Sequence, residues 1–370
     1  MARSEHLLLV GSSEQHPDLL YATGLLTREP FIWLRDARQA VIVTAGRLSP
    51  AAQKAFQKLQ ILTPSQVAGK GPSDDGTVVR KLLEGRKVTR VLVSESFPHG
   101  LARTLRRAKI RVKVIAPFFP GRPIKTADEV KKISAAISMA EVGLAEGIQA
   151  IKRTKTARDG LLHLGGTPLT CARVRSIIET AVLQAGGHPI GAAVGSDWRN
   201  HDPIDGGDGP LKPNHPITLS VSPRSRKTGY FGELGRTVVK GRAPEAVRRI
   251  FHTVKTARRL AFGLVVPGSS AADIHCAVAD YFAREGFSTL PDATPREGFH
   301  SPCGHGLGVE LHEAPFLFAD SKELLKPGHV VTIEPSLHYR SIGCIRLVDA
   351  AWVGPKSARN LAKFETVLEI

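Results

Sequence analysis

The chain has 370 residues, 42% hydrophobic and 23% charged, with a net charge of +17 and a pI near 10, values that fit a globular protein of two domains. No run of eighteen apolar residues occurs, which excludes a transmembrane helix, and the Leu7-Leu8-Leu9-Val10 run is too short for a signal peptide and reads as a strand. Cys171, Cys276, Cys303 and Cys344 lack metal or redox spacing, so the expectation is a reducing cytoplasm and no disulfides.

The first 120 residues alternate strand and helix. Strand patterns fall at His6–Val10, Phe31–Leu34, Ala40–Thr44, Val91–Ser94 and Val112–Ile115, and helical patterns at Pro50–Gln60 and Asp75–Gly85. Such alternation implies an α/β domain over residues 1–122 with a mixed or parallel sheet, and none of its glycines forms a phosphate fingerprint. A Pro/Gly-rich stretch from Pro117 to Pro123 closes that domain.

Thr126 and Glu129 then form a capping box, followed by Val130, Ile133, Ile137, Ala140, Leu144, Ile148 and Ile151 at three- and four-residue steps. That is a long amphipathic helix on a second core. Further helices are expected over Thr170–Ala185 and about Pro244–Phe262, with strands at Ile217–Val221, Gly235–Val239 and Val330–Ile333. Residues 125–370 therefore read as an α+β domain whose helices cover one face of a curved antiparallel sheet.

Within it, Gly304, Gly306 and Gly308 bracket His305, where glycine permits positive φ and a close approach of backbone to whatever the imidazole touches. The alternation of Val309 and Leu311 with Glu310 and His312 reads as a strand. Glu334 ends the apolar run Val330-Val331-Thr332-Ile333, so a histidine and a carboxylate, each closing its own strand, can meet on one sheet face. The bland alternative is a Gly-rich turn and a surface glutamate. Cys303 is either a small buried residue or a thiol nucleophile, the latter hampered because its only nearby base is a candidate ligand.

The order of these motifs carries a resemblance. Gly304-His305-Gly306-Leu307-Gly308 through His312-Glu313-Ala314-Pro315, then Thr332-Ile333-Glu334-Pro335 and Ile345-Arg346-Leu347-Val348-Asp349, resemble the C-terminal half of the pita-bread peptidases, the group of methionine aminopeptidase, Xaa-Pro aminopeptidase, prolidase and the non-metal enzyme creatinase. Gly209-Pro210-Leu211, Ser222-Pro223-Arg224-Ser225, Gly229-Tyr230-Phe231-Gly232-Glu233 and Arg236-Thr237 are similar to the Xaa-Pro peptidase pattern, and Leu20 to Leu26 to that family's first domain. The resemblance spans nearly the whole chain and implies an α/β creatinase-like N-terminal domain joined to an α+β pita-bread domain.

It also implies two divalent metals held by two Asp, one His and two Glu. Carried over position by position, the first Asp falls on Ser220, the second on Glu233, the histidine on His305, the first glutamate on Glu334 and the bridging glutamate on Val348. A substrate-contacting histidine of the family falls on Ile204, whereas the second signature histidine, His312, is kept. Four carboxylates balance two divalent ions; Glu233 and Glu334 balance one, and Val348 offers an apolar group where a cation wants oxygen. Glu233, His305 and Glu334 still make a His-plus-two-carboxylate set suited to one Zn, Mn or Co ion.

The expectation is a homologue that has lost dinuclear Xaa-Pro hydrolysis and binds peptide ends or a protein partner. The alternative is a mononuclear metallohydrolase with Glu233, His305 and Glu334 as ligands, Glu334 and His312 serving catalysis and His312 shuttling a proton. A metal-free, creatinase-like hydrolase fares worse, because its base would fall on Ile204. Basic residues gather at Arg80 to Arg90, Arg103 to Lys113 and Arg248 to Arg259, a surface that attracts phosphate polyanions unless these are merely solvated helix faces. No nucleic-acid motif or stacking platform accompanies them, so nucleic acid ranks below peptide as partner. A homodimer is implied by the resemblance alone. Arg236 and Arg346 match family positions and can pair with Asp349 or other nearby carboxylates.

Overall fold

The computed structural model describes residues 5–36, 39–46, 59–71, 74–196, 207–289 and 297–370, in two compact units, Met1–Arg122 and Pro123–Ile370. In the first unit the elements run β1 (Leu7–Gly11), α1 (Pro17–Thr23), β2 (Phe31–Arg35), β3 (Ala40–Val43), β4 (Gln60–Leu62), α2 (Pro64–Ala68), α3 (Asp75–Gly85), β5 (Arg90–Val93), α4 (His99–Arg107) and β6 (Arg111–Val114). The strands form one mixed sheet in the order β4-β3-β2-β1-β5-β6, with β5 parallel to both β1 and β6.

Successive residues of a strand point to opposite faces, and here both faces are buried. Leu8, Val10, Val91 and Val93 pack under α3 and α4, while Leu9, Trp33 and Ile42 meet Leu19 and Phe118. The α4 helix escapes a periodicity reading because Leu101, Ala102 and Leu105 are its only buried residues among five polar or basic ones. Of the helix expected at Pro50–Gln60, residues 50–58 lie outside the described residues.

The second unit begins with α5 (Ala127–Lys152), whose first turn is closed as expected: Thr126 Oγ1 accepts from Glu129 N at 3.3 Å, and Glu129 Oε2 accepts from Thr126 N at 2.9 Å. A small sheet follows, β7 (Lys155–Thr156), β8 (Leu162–Leu164) and β9 (Thr167–Pro168), and then α6 (Cys171–Gln184). Next come the antiparallel strands β10 (Gly187–Gly195), β11 (Pro216–Ser225) and β12 (Leu234–Val239), and the helices α7 (Glu245–Leu264) and α8 (Ala271–Arg284). The last strands are β13 (Gly304–Gly306), β14 (Glu313–Leu317), β15 (Val330–Ile333), β16 (Ser336–Tyr339), β17 (Gly343–Arg346), β18 (Asp349–Val353) and β19 (Ala358–Asn360). They pair as β14-β13-β15-β18-β19 and, separately, β16-β17.

The strand expected over Val309–His312 does not form. Its backbone bonds leave the ladder, Phe231 N donating to Gly308 O at 2.8 Å and Gly308 N to Glu310 O at 3.1 Å, so residues 307–312 are a loop and the strand starts at Glu313. Alternation in so short a run cannot distinguish a strand from a loop that buries two side chains. Among the described residues no helix is long and apolar enough to cross a membrane. One core of the unit lies between α7, α8 and β15 to β18.

A buried carboxylate pins the C-terminal segment to this core. Asp349, fully buried, receives Nη2 of Arg236 at 2.8 Å and pairs also with Arg258. Arg236 continues outward to the carbonyls of Phe364 and Glu365, both at 2.9 Å. Arg236 therefore takes the first of the partners the sequence allows it, Asp349.

Candidate functional site

His305 is carried on β13, a three-residue strand that its glycines allow to lie deep between neighbours. A Cβ on Gly304 would stand 2.0 Å from Thr332 O, and one on Gly306 would stand 2.3 Å from Ala314 O. Close approach is therefore what these glycines supply; the positive φ expected of them is absent from Gly304, Gly306 and Gly308 alike.

Thr332, on the adjacent strand, receives His305 N on its hydroxyl at 3.0 Å, and that oxygen lies 3.4 Å from Glu334 Oε1. Two residues further, Glu334 leaves β15 with its amide donating to Cys303 O at 2.8 Å. Thr332 is a positioning residue that sequence reasoning misses, although alternation already puts it on the same face as Glu334.

These supports bring three expected residues together. His305 Nε2 lies 3.3 Å from Glu233 Oε2 and 3.3 Å from Glu334 Oε1, and all three side chains are buried. One donor atom from each lies within 4.8 Å of the others. His305 Nδ1 faces Gly306 O at 3.1 Å, which turns Nε2 toward the carboxylates. Glu233 Oε2 and His305 Nε2 make no aligned hydrogen bond despite being at ion-pair distance. Buried, convergent and without aligned hydrogen bonds, they are donor atoms of the kind a single divalent ion takes.

Arg346 completes the cluster. From the end of β17 its guanidinium bonds to Glu334 Oε2 and stands 3.6 Å from Glu233 Oε1. Of the roles the sequence allows it, pairing with these carboxylates is the one it takes, since Asp349 is held by Arg236 and Arg258. The sequence signal is slight: Arg346 faces Ser336 in the β16–β17 register, two residues past Glu334.

Charge sets the protonation states. Burial raises the Glu233 carboxyl, but His305 beside it and then Arg346 outweigh that and hold it below the ordinary value. Burial lowers His305, yet Glu233 and Glu334 push it up to about 9. Burial lowers Arg346 and the two glutamates raise it further, so it keeps its proton. The result is two anions against two cations, a neutral set.

His312, at the end of the loop, places its ring 4.3 Å from that of His305 at a steep angle. Burial, and then the charge of His305, lower its pKa. Cys303 is fully buried, and burial followed by Glu334 pushes its thiol far above the normal range. A protonated, enclosed thiol is no nucleophile, so Cys303 is a packing residue.

The two positions where the resemblance expects further ligands flank one glycine. Ser220 pairs with Gly235 across β11 and β12, and Gly235 pairs with Val348. A methyl group on Gly235 would lie 2.7 Å from Val348 Cγ2 and 3.2 Å from Ser220 Oγ. The row offers one hydroxyl and one isopropyl group and no carboxylate. The side chains present thus fit one divalent ion and not a pair. Ile204 lies outside the described residues.

Comparison with known proteins bears on this geometry. Residues 131–355 match the model of metallopeptidase family M24. The Xaa-Pro dipeptidase of Pyrococcus horikoshii is 25% identical over 291 residues, 78% of this chain and 76% of the relative. An Xaa-Pro dipeptidase from Bacillus anthracis superposes with a TM-score of 0.82 at 18% identity, over 99% of this chain and 95% of that one. The X-Pro aminopeptidase from Thermotoga maritima gives a TM-score of 0.82 at 18% identity, over 99% of this chain and 98% of its own.

Proposed function

The chain belongs to metallopeptidase family M24 and has the pita-bread fold together with an α/β N-terminal unit, and from that premise we propose that it is an Xaa-Pro peptidase homologue that no longer performs two-metal hydrolysis and uses the fold to bind peptide ends. The observation that supports this reading is the guanidinium of Arg346 against Glu334 and Glu233, the two carboxylates left at the positions where the resemblance expects four. It supplies the positive charge those glutamates need. Like charges about 4 Å apart cost about 4 kcal/mol per unit pair at the effective dielectric of a protein site. A pair of dications beside Arg346, with Val348 and Ser220 in place of two anions, lacks the compensation that would offset that repulsion.

The test is hydrolysis of Xaa-Pro peptides by the purified chain with added manganese or cobalt. The expected rate equals that of the His305→Ala variant, with peptide still bound. Turnover at enzymatic rates that His305→Ala abolishes would overturn the reading.

One observation favours a second reading. Glu233, His305 and Glu334 would hold a single divalent ion, which supplies Lewis-acid polarisation of a carbonyl when bound. In that case His312, beside His305 and with a lowered pKa, is the group available to accept and return a proton. Metal analysis after loading separates the two: one ion per chain, lost in Glu334→Gln, selects the second, and a stoichiometry near zero the first.

A further inference from the structure

Residues 1–122 hold 20 Lys and Arg against 9 Asp and Glu, which is +11 of the chain's +17, and no acidic residue occurs between Glu95 and Asp128. Part of that charge converges. A cleft of about 410 Å³ at the start of β5 and β6 is lined by Lys87, Arg90, Lys109 and Arg111, with Thr89 among them and Glu5 as its one carboxylate. This volume lies in the range of small-molecule sites.

Three features of the cleft run against what local stability favours. First, Arg90 and Arg111 are register partners on adjacent parallel strands, so two like charges stand side by side. Second, none of the four cations, all exposed, makes a salt bridge with a described residue, so their like charges face one another without a bonded counter-charge. Third, Lys87 and Lys109 both have left-handed backbone, φ 56° and 61°.

The two turns are built alike. Val88 N donates to Leu83 O and Lys87 N to Glu84 O, at 2.9 Å each, and Ile110 N donates to Leu105 O and Lys109 N to Arg106 O, at 3.0 Å each. Each is a helix C-terminal motif whose left-handed position usually goes to glycine. Lysine at that place is favourable to the helix end, which carries negative partial charge, but glycine would avoid the steric cost. Capping explains one lysine at each helix; it does not explain the adjacent arginines.

Local rules broken together at one place mark a site held for something other than stability. We propose that this cleft binds a small polyphosphate group, that is, a chain of two or three phosphates, free or carried by a nucleotide. Neighbouring guanidinium forks match phosphate oxygens, and the flanking ammonium groups add charge without directional demand. The four cations less Glu5 leave three positive charges, the order of charge on a triphosphate. The inference is independent of the metal cluster and of the reading given to it.

The experiment is titration calorimetry of the full chain with sodium triphosphate and, in parallel, ATP, at low and at moderate salt. The expected result is one site per chain, weakened about tenfold for each arginine in the Arg90→Gln and Arg111→Gln variants, the loss of one charge-assisted hydrogen bond. Arg103→Gln with Arg106→Gln, on the exposed side of α4, is expected to change affinity less than twofold. Equal affinity for triphosphate and ATP assigns recognition to the phosphates alone; tenfold tighter ATP assigns it to a nucleotide. Both arginine variants should melt no lower than the parent, since each relieves a like-charge pair. No binding of triphosphate or ATP, or binding that the Arg90 and Arg111 variants leave unchanged, would overturn the proposal. So would binding of duplex DNA that triphosphate does not displace, which would make the surface a nucleic-acid one.

Discussion

Val348 lies directly across from Gly235, the two exchanging backbone hydrogen bonds of 3.0 and 3.2 Å, with the valine's Cγ2 filling the space above the glycine. Ser220 closes the other side of that space. The first prediction follows: Ser220→Asp with Val348→Glu returns two carboxylates to the row. Equilibrium dialysis with manganese should show at most one ion per parent chain and two per double variant. An unchanged stoichiometry would mean that something other than the missing anions limits metal binding.

Arg346→Met removes the guanidinium and leaves Glu233 and Glu334 buried without it. Removing one partner of a buried ion pair costs about 3 kcal/mol or more, or roughly 6 °C in Tm for a unit of this size. Added manganese or zinc should recover part of the loss, because a divalent ion can replace the absent cation. Thermal melts with and without chelator measure both effects. A variant as stable as the parent in chelator would show that Arg346 is not what neutralises these glutamates.

A different group contributes to acid sensitivity. His329 is 5% exposed, and its Nδ1 accepts from Lys326 N at 3.1 Å, which requires a neutral ring. Burial, then Lys125, then Lys326 lower its pKa from 6.5 to about 4. With the folded value below the unfolded one, its contribution is complete above pH 6.5 and is lost as the pH falls toward 4. The shift corresponds to about 3 kcal/mol. His329→Asn keeps an acceptor but no titration, so its denaturation midpoint should vary less between pH 7 and 4 than the parent's. Parallel pH profiles would remove His329 as the cause.

Asp349→Asn should be among the more damaging single changes. It leaves Arg236, whose side chain is 2% exposed, without a counter-charge, and weakens Arg258 as well. A cost of about 3 kcal/mol or more is expected for the broken pair. Because Arg236 also holds the carbonyls of Phe364 and Glu365, limited proteolysis should clip the C-terminal segment faster in this variant than in the parent. Unchanged cleavage would show that the segment is held by its other contacts.

Some of this is legible in one dimension. The Thr126–Glu129 capping box and the three- and four-residue steps after it fix the start and the buried face of α5, since both depend only on near neighbours. The run Val330–Ile333 is a strand with the bounds its composition implies, buried throughout. By contrast Val309 to His312 has the period of a strand and is a loop, because Leu307 N bonds to Val330 O and Phe231 N to Gly308 O rather than to a hairpin partner. Helix α8, Ala271 to Arg284, is not among the expected helices, although Ala271, Ile274, Val278 and Phe282 recur on its buried face and Ser270 caps its start.

By itself the sequence determined which residue types stand at the motif positions: Glu233, His305, His312 and Glu334 present, carboxylates absent at 220 and 348. It also determined the net charge and its concentration before residue 122, because composition needs no coordinates. Only the tertiary structure decided which cation meets which anion. Arg236 and Arg346 both have acidic residues near in sequence, and the strand pairing sends one to Asp349 and the other to Glu334 and Glu233. The reason is physical: Coulomb energy in a buried site depends on separations of a few ångströms, and those are set by register and packing between segments more than a hundred residues apart in sequence.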